Sequence, residues 1–567
     1  MTIFKNLSSI LNRFDLRVSV LIFSSYFTTF IGDLYYSAVN SPDFPKYSIY
    51  FSFFDGSVGK TNLEQNLSYY FLHSLSLSLK NRYTYEYNYE SIFDSNIVMT
   101  NNIFYVIGIL GIYKLLSFLN MNKNNIFFAL ILLNFFPPIF GSRLIYKPEI
   151  LVFALLPWII YGFEFYKENK STPILFSVFF LGIFLFTIKP TSTAMCGIFL
   201  LFRYQKIIFK EFKKMIFLLF AVLIIFIPIF IEDYNANGYF YLNHPNEEVY
   251  SDQAPINFLY NINLNNLVTK PYQHNHADSL LGITLLDTFG DYYHLLWEND
   301  ASLFKFNEYR FTDSFFINNF LEKYIGIIMT SLFYLTIIYF AFRDKIFRSF
   351  YLLPFFGILI LLIISYTGNF QLQTGDVLKT SYYSFFLGLS FCFVIVKLFE
   401  NKNLEYKIFF SSVFILLNAF IVGFPKINNN ENIEYLNQNN VSPLICRVND
   451  LFINGENNDC RKYIENVCEF NVEYKDVKFI RLNSKFVNTD NAIGSDVDFE
   501  YGEDIPKLVK NGSVINVEDK NTCYEFLLDG YKPIDKNYEL KSIPYANLFL
   551  LITSFVIILF LQVKKED

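Results

Sequence analysis

The sequence has few charged residues and no glycine-rich loop of the kind that cradles a nucleotide phosphate. Asp, Glu, Lys and Arg make up 17% of its 567 residues, whereas 53% are hydrophobic and the mean hydropathy is +0.29. This balance excludes an ordinary soluble domain. The segment Gly56–Thr61 ends in Gly-Lys-Thr, but it lacks the lead-in and the preceding strand of a nucleotide-binding loop. We therefore do not interpret it as one.

A cleavage site is also absent, and so is any internal repeat beyond the hydrophobic periodicity. Arg13 and Arg17 precede the first apolar run, and no small-residue cleavage motif follows it. We predict that this run is a retained membrane span rather than a signal peptide. The lack of symmetry between the two halves argues against a transporter built from inverted repeats.

Apolar runs long enough to cross a bilayer recur along the chain. A membrane helix needs about 20 such residues, and we count about twelve spans. They run over 16–36, 102–120, 124–142, 149–166, 173–189, 191–203, 215–232, 321–342, 349–367, 382–398, 406–424 and 545–563. Lys and Arg cluster in alternate loops, which places both termini in the cytoplasm.

We therefore predict an all-α polytopic membrane protein with three long extracytoplasmic segments. Residues 1–424 would form the transmembrane module, with outer loops 37–101 and 233–320. Residues 425–544 are polar, acidic and rich in Asn, and we expect a small extracytoplasmic α/β or β-rich domain there. Residues 545–567 would contribute the final membrane helix and a short cytoplasmic tail.

Within the first outer loop, apolar residues recur every fourth position from Glu64 to Asn81. They are Leu67, Phe71, Leu75 and Leu79. This spacing predicts an amphipathic helix that lies in the membrane interface.

The cysteines fit this topology. Cys196 and Cys392 fall in spans and are interpreted as packing residues. Four more lie in the outer tail, where two disulfides with three possible pairings are expected. No C-x-x-C pair occurs among them, so a zinc site is the weaker alternative. These four are Cys446, Cys460, Cys468 and Cys523.

A proline-containing stretch, Asn40–Tyr47, follows the first span. Asp43 stands just before Pro45, where a carboxylate can cap a new helix. The same carboxylate can act as a general base if a substrate hydroxyl comes within reach. Asp33 and Asp55 are the rival carboxylates nearby.

Several predicted outer loops carry cations at the membrane face that usually disfavours them. Snorkelling to lipid headgroups explains each one singly. Together they could surround a phosphate through charge-assisted hydrogen bonds. His274 and His276 could join them, or bind a metal with Asp278 as a weaker alternative. The cations are Arg143, Lys147, Lys189 and Lys379.

These elements resemble the GT-C superfamily of integral-membrane glycosyltransferases, in particular the bacterial members similar to protein O-mannosyltransferases and the aminoarabinose transferase. Asp43–Tyr47, with Gly56 behind it, is similar to the Asp-x-x-x-Tyr element of the first outer loop. Lys147–Glu149 is similar to a basic-Pro-acid turn between later spans. Gly375–Tyr382 resembles the Gly-Asp-x-x-Lys-x-Ser-Tyr stretch, and Phe289–Tyr293 resembles part of the large loop.

The resemblance covers residues 1–424 and implies an inverting transfer of a sugar from a polyprenyl phosphate to a glycan, lipid or protein acceptor. Asp43 would be the base. Donor contacts are implied for Lys379, Lys189, Arg143, Lys147, Tyr47, His274, His276, Asp291 and Tyr382. The family often has Asp-Glu where this chain has Asp43-Phe44, which argues against a metal-dependent variant.

No cofactor, no metal and no nucleic-acid partner is expected, and membrane lipids would surround the protein. The expected location is a bacterial inner membrane with an extracytoplasmic site. A transporter, a lipid or glycan flippase, and a glycan polymerase or ligase are the alternatives, along with a receptor or scaffold that acts through residues 425–544.

Overall fold

The computed structural model of the chain is mostly helical. It describes residues 16–35, 47, 50–51, 53–56, 59, 66–81, 89–237, 259–260, 279–289, 313–367, 380–422, 449–454, 477–482, 497–501, 506–510, 513–514 and 540–563. The helices are α1 (Leu16–Tyr35), α2 (Leu67–Asn81), α3 (Tyr89–Phe118), α4 (Lys123–Leu133), α5 (Pro137–Leu144), α6 (Glu149–Asn169), α7 (Thr172–Phe186), α8 (Pro190–Lys210), α9 (Phe212–Asn237), α10 (Leu280–Asp287), α11 (Asp313–Arg343), α12 (Arg348–Tyr351), α13 (Leu353–Thr367), a 3₁₀ turn (Thr380–Tyr383), α14 (Ser384–Leu398), α15 (Leu404–Val422) and α16 (Tyr545–Val563).

Among the residues that the structure describes, six helical segments are long and apolar enough to cross a membrane, which makes the chain a polytopic membrane protein. They are Ser95–Phe118, Glu149–Asn169, Phe212–Asn237, Tyr324–Arg343, Thr380–Leu398 and Tyr545–Val563. The pair α4 and α5, bent by 57°, adds a seventh if it counts as one span, and three shorter apolar helices accompany them. A helix overlaps each of the twelve predicted segments, but the count of about twelve spans stays a prediction.

Helix α6 is the centre of the bundle. The part of it that could span the membrane is wholly buried, whereas α9 is buried over only 28% of its span and presents apolar side chains outward. Close packing of α3 on α6 depends on Gly108, where an added Cβ would come 2.4 Å from the Phe153 ring. The Trp158 Nε1 donates a hydrogen bond to the Ile107 carbonyl at 3.0 Å and fixes the same pair of helices.

The break between α4 and α5 follows from consecutive prolines. Pro137 and Pro138 cannot donate backbone hydrogen bonds, so the helix ends and restarts with Pro at its first position. The carbonyl of Asn134 is thereby left outside regular helix pairing, and it accepts a hydrogen bond from Arg143 Nη2 at 2.6 Å.

Helix α2 exists where the four-residue spacing predicts it, but it does not lie on a surface. Tyr69, Tyr70, His73 and Ser74 are as buried as Phe71 on the apolar stripe. The expectation of an interfacial helix is wrong for this part of α2, because α3 and the first outer loop cover its other faces. Only near its end does the stripe become exposed, at Leu79.

The described residues between 449 and 514 form five short strands. Strands β1 (Asn449–Asn454) and β2 (Val477–Leu482) pair antiparallel, with Asn449 opposite Leu482. Strands β3 (Val497–Tyr501), β4 (Pro506–Lys510) and β5 (Ser513–Val514) form a second antiparallel sheet in that order. The predicted C-terminal domain stays a prediction.

Candidate functional site

A buried ion pair joins two proline-led helix starts. Glu149 is the first residue of α6, directly after Pro148, and Lys189 caps α8, directly before Pro190. The Lys189 Nζ donates a hydrogen bond to Glu149 Oε1, and the two residues are only 5% and 1% exposed. Within the described part of the chain, Glu149 Oε2 has no hydrogen-bond partner. Glu149 Oε2 can therefore accept a hydrogen bond from a ligand in a site shielded from water.

A third helix start reaches the same place. The Lys189 Nζ lies 4.3 Å from the centroid of the Tyr382 ring, in the 3₁₀ turn that leads into α14. Helix N-termini carry unpaired N–H groups and the positive end of the helix dipole. The starts of α6, α8 and α14 thus gather around one ammonium group, and such an arrangement favours a negatively charged ligand.

The first outer loop packs beside this cluster. Tyr47 and Tyr50 are helical and buried, and their rings lie 5.4 Å and 4.0 Å from that of Tyr70 on α2. Phe51 stacks on Tyr146 at 5.1 Å. Because Tyr146 directly precedes Lys147, the loop that carries Asp43 in sequence is tied to the turn that leads to Glu149. Lys147 itself is partly buried.

Asn101 fixes that turn. Its Nδ2 donates to the carbonyls of Arg143 at 3.2 Å and Ile145 at 2.6 Å, and its Oδ1 accepts from the Tyr69 hydroxyl at 2.9 Å. One amide thereby joins α2, α3 and the turn. His73 packs edge-on against Tyr146 in the same layer, and burial lowers the pKa of His73 to about 3, so its ring is neutral.

Arg143 is fully buried, and its guanidinium is engaged by the body of the bundle. Nη1 donates to Thr28 Oγ1 at 3.1 Å and Thr29 Oγ1 at 3.0 Å, and Nη2 donates to the Asn134 carbonyl. The guanidinium carbon also lies 4.4 Å from the centre of the Tyr105 ring. These contacts hold α1 against the α4–α5 bend. Its predicted contact with a phosphate stays a prediction.

Two adjacent carboxylates brace the neighbouring helices. Asp233 Oδ1 accepts the Leu67 N–H at 2.8 Å and so caps α2. Glu232 accepts the Ala546 N–H at 3.3 Å and the Asn547 side chain at 2.9 Å, at the start of α16. Ser68 donates to Asn547 Oδ1 at 2.7 Å and closes the network.

The residues just before α16 also contact the predicted first outer loop. The backbone N–H groups of Lys541 and Ser542 both donate to the Phe54 carbonyl, at 2.9 Å and 2.8 Å. The polypeptide that enters α16 is therefore attached to the loop that carries Tyr47.

The remaining predicted residues lie outside the described part of the chain. They are Asp43, Lys379, His274, His276 and Asp291. Of the others, Lys189 and Tyr382 are in contact, Tyr47 and Lys147 lie on adjoining elements, and Arg143 contacts α1. Among the described residues, no group of three or more His, Cys, Asp or Glu side chains could hold a metal ion.

Sequence reasoning missed the direct partner of Lys189 and the carboxylates that cap α2 and α16. An available signal was the placement of acids at span ends, at Glu149 and at Glu232-Asp233, where charge is costly unless paired. Asn101, within an apolar helix, was a similar signal.

Comparison with protein-family models, with curated proteins and with solved structures finds no match to this chain.

Proposed function

We propose that the chain is an inverting glycosyltransferase that moves a sugar from a polyprenyl phosphate to an acceptor on the extracytoplasmic face of the membrane. The observation that carries the proposal is the convergence of three helix starts on the buried ammonium of Lys189. A soluble phosphate would not need a cation at the rim of membrane-spanning helices, whereas the phosphate of a lipid carrier is delivered to that depth.

The reaction needs a base for the acceptor hydroxyl and positively charged groups that stabilise the departing phosphate. Asp43 would take the proton of the acceptor hydroxyl as its oxygen attacks the anomeric carbon. The new bond forms from the acceptor oxygen, the bond from the anomeric carbon to the phosphate oxygen breaks, and the electron pair leaves with the lipid phosphate. One displacement inverts the anomeric carbon.

Charge then grows on the departing phosphate. Lys189, Lys379 and the N–H groups of the converging helix starts would stabilise that charge more in the transition state than in the ground state. The pairing of Lys189 with Glu149 supports this role, because a fixed partner holds the ammonium in one geometry before the ligand arrives. Tyr382 would limit the approach of water on the other side of the ammonium. No metal would be required.

The proposed topology follows from the distribution of Lys and Arg. The Lys189 site would face the extracytoplasmic side of a bacterial inner membrane, with both termini in the cytoplasm. The acceptor, a glycan, lipid or protein, would approach from that side.

The decisive experiment incubates membranes that contain the full chain with a panel of radiolabelled polyprenyl-phosphate sugars and follows loss of label from the carrier. Asp43→Asn should fold and insert normally but lose transfer by a factor of about 10²–10⁴. Asp33→Asn and Asp55→Asn, made in parallel, identify the base if it is a different carboxylate. Membranes in which no carrier sugar turns over, despite folded protein, would contradict the proposal.

A further inference from the structure

The C-terminal part of α8 lies at the end of the bundle opposite the Lys189 site. The helix has 21 residues, which at 1.5 Å per residue is about 30 Å, the thickness of the hydrocarbon core. Its backbone leaves helical geometry at Tyr204. At this break the Tyr204 hydroxyl donates to Glu164 Oε1 at 2.9 Å, and Arg203 Nε donates to the same oxygen at 2.8 Å. The break is thus fixed to α6.

Beyond the break at Tyr204, exposed lysines and phenylalanines occupy the end of α8 and the first turn of α9. Lys206, Lys210 and Lys213 are exposed, and so are Phe209 (76%) and Phe212 (53%). We call these five residues the basic-aromatic patch. Among the residues that the structure describes, none of the three lysines has an ion-pair partner. Lys206, Phe209 and Lys210 stand at helical spacing near the end of α8, which brings them to one face, and Phe212 and Lys213 lie in the first turn of α9.

The surroundings of the patch carry more positive than negative charge. The Nζ atoms of Lys170 and Lys214 lie 5.1 Å and 5.2 Å from the centroid of the Tyr166 ring. Of the nearby carboxylates, Glu164 is already shared by Arg203 and Lys167. Glu211 stands between Lys210 and Phe212, so residues 203–214 carry five cations against one carboxylate. The local balance is therefore strongly cationic, and a partner that neutralises it must bring several negative charges.

The aromatic rings define the chemistry of that partner further. A soluble anion would neutralise the lysines but leave two phenylalanine rings in water. A lipid surface satisfies both, because rings beside the end of a span can enter the acyl boundary while the lysines reach the headgroups. We propose that the basic-aromatic patch binds the headgroups of anionic phospholipids. This site is independent of the proposed transfer reaction.

The test uses the full-length protein in detergent, titrated with phosphatidylglycerol or phosphatidylcholine in mixed micelles, with the thermal unfolding midpoint as readout. A ligand that binds the folded state raises this midpoint. Phosphatidylglycerol should stabilise the wild type more than phosphatidylcholine does. Removing one lysine should weaken apparent binding about fivefold, so K206Q/K210Q/K213Q should weaken it tenfold or more. K206R/K210R/K213R should retain it.

The matched control is K123Q/K345Q/K402Q, which removes three exposed charges outside the patch, from loops that the predicted topology places on the same side of the membrane. It should bind phosphatidylglycerol as the wild type does. Equal losses in the two triple variants would overturn the proposal, because the effect would then be one of net charge. Equal stabilisation by inorganic phosphate would also overturn it. F209S/F212S is a second variant that keeps all charges. Unchanged binding of phosphatidylglycerol by this variant would contradict the proposed contribution of the two rings.

Discussion

The ammonium of Lys189 and the carboxylate of Glu149 meet across forty residues of sequence, and each stands at the buried start of a helix. A proline stands at each helix start, Pro148 directly before Glu149 and Pro190 directly after Lys189. Proline has no N–H to leave unpaired and holds the backbone angle that a helix start needs. The two charged groups are therefore placed by rigid elements, and the pair is shielded from water.

This pairing predicts an asymmetry between single and double substitutions. Lys189→Gln should lower the free energy of unfolding by about 3–5 kcal/mol, because it leaves Glu149 charged and buried. Lys189→Gln with Glu149→Gln should recover most of that loss, as measured by thermal unfolding in detergent. If the pair also serves the proposed reaction, the double variant will be stable but inactive. Full transfer activity in the stable double variant would assign the pair a structural role only.

Arg143 should behave as a structural cation. Arg143→Met removes the donors to Thr28, Thr29 and Asn134 and leaves buried acceptors unpaired, at a cost of about 1–3 kcal/mol for each such group. We expect loss of folded protein on size-exclusion chromatography, whereas Arg143→Lys should retain part of it. A well-folded Arg143→Met variant with impaired donor binding would instead assign Arg143 to the phosphate.

His73 should make stability depend on pH. Burial lowers its pKa to about 3, below the ordinary value of about 6.5. Between pH 6.5 and pH 3, His73 is therefore neutral in the folded state and protonated in the unfolded state. The free energy of unfolding is unaffected by His73 above pH 6.5. It falls as the pH decreases toward 3, by up to about 1.4 kcal/mol per pH unit.

The measurement compares unfolding midpoints of the wild type and His73→Gln between pH 7 and pH 5, a window that avoids most carboxylate titration. The wild type should lose more stability over this window than the variant. Parallel pH curves for the two proteins would show that His73 does not titrate in the predicted way.

The caps on α2 and α16 should contribute measurably to stability. Asp233→Ala removes the acceptor for the Leu67 N–H, and Asn547→Ala removes the partner of both Glu232 and Ser68. Each should cost about 0.5–2 kcal/mol. Glu168→Gln changes an exposed carboxylate on α6 and is the matched control. Limited proteolysis of Asn547→Ala should cleave near α16 sooner than in the control, and equal cleavage would argue against the brace.

The sequence by itself determined the helical, membrane-spanning character and the approximate position of a helix in each of the twelve predicted segments, because apolar runs, helix periodicity and prolines act over a few residues. It also indicated that Lys189, Tyr382 and the Lys147 turn belong near one another, although only through resemblance and order along the chain. Tertiary structure decided the rest. Three features depend on contacts between residues tens to hundreds of positions apart. They are the pairing of Glu149 with Lys189, the engagement of Arg143 with α1, and the burial of both faces of α2 around Tyr69–Ser74. No local pattern encodes such contacts, since the same lysine or arginine at a span end can snorkel to lipid, pair with a carboxylate or point inward, and the packing of neighbouring helices selects among these.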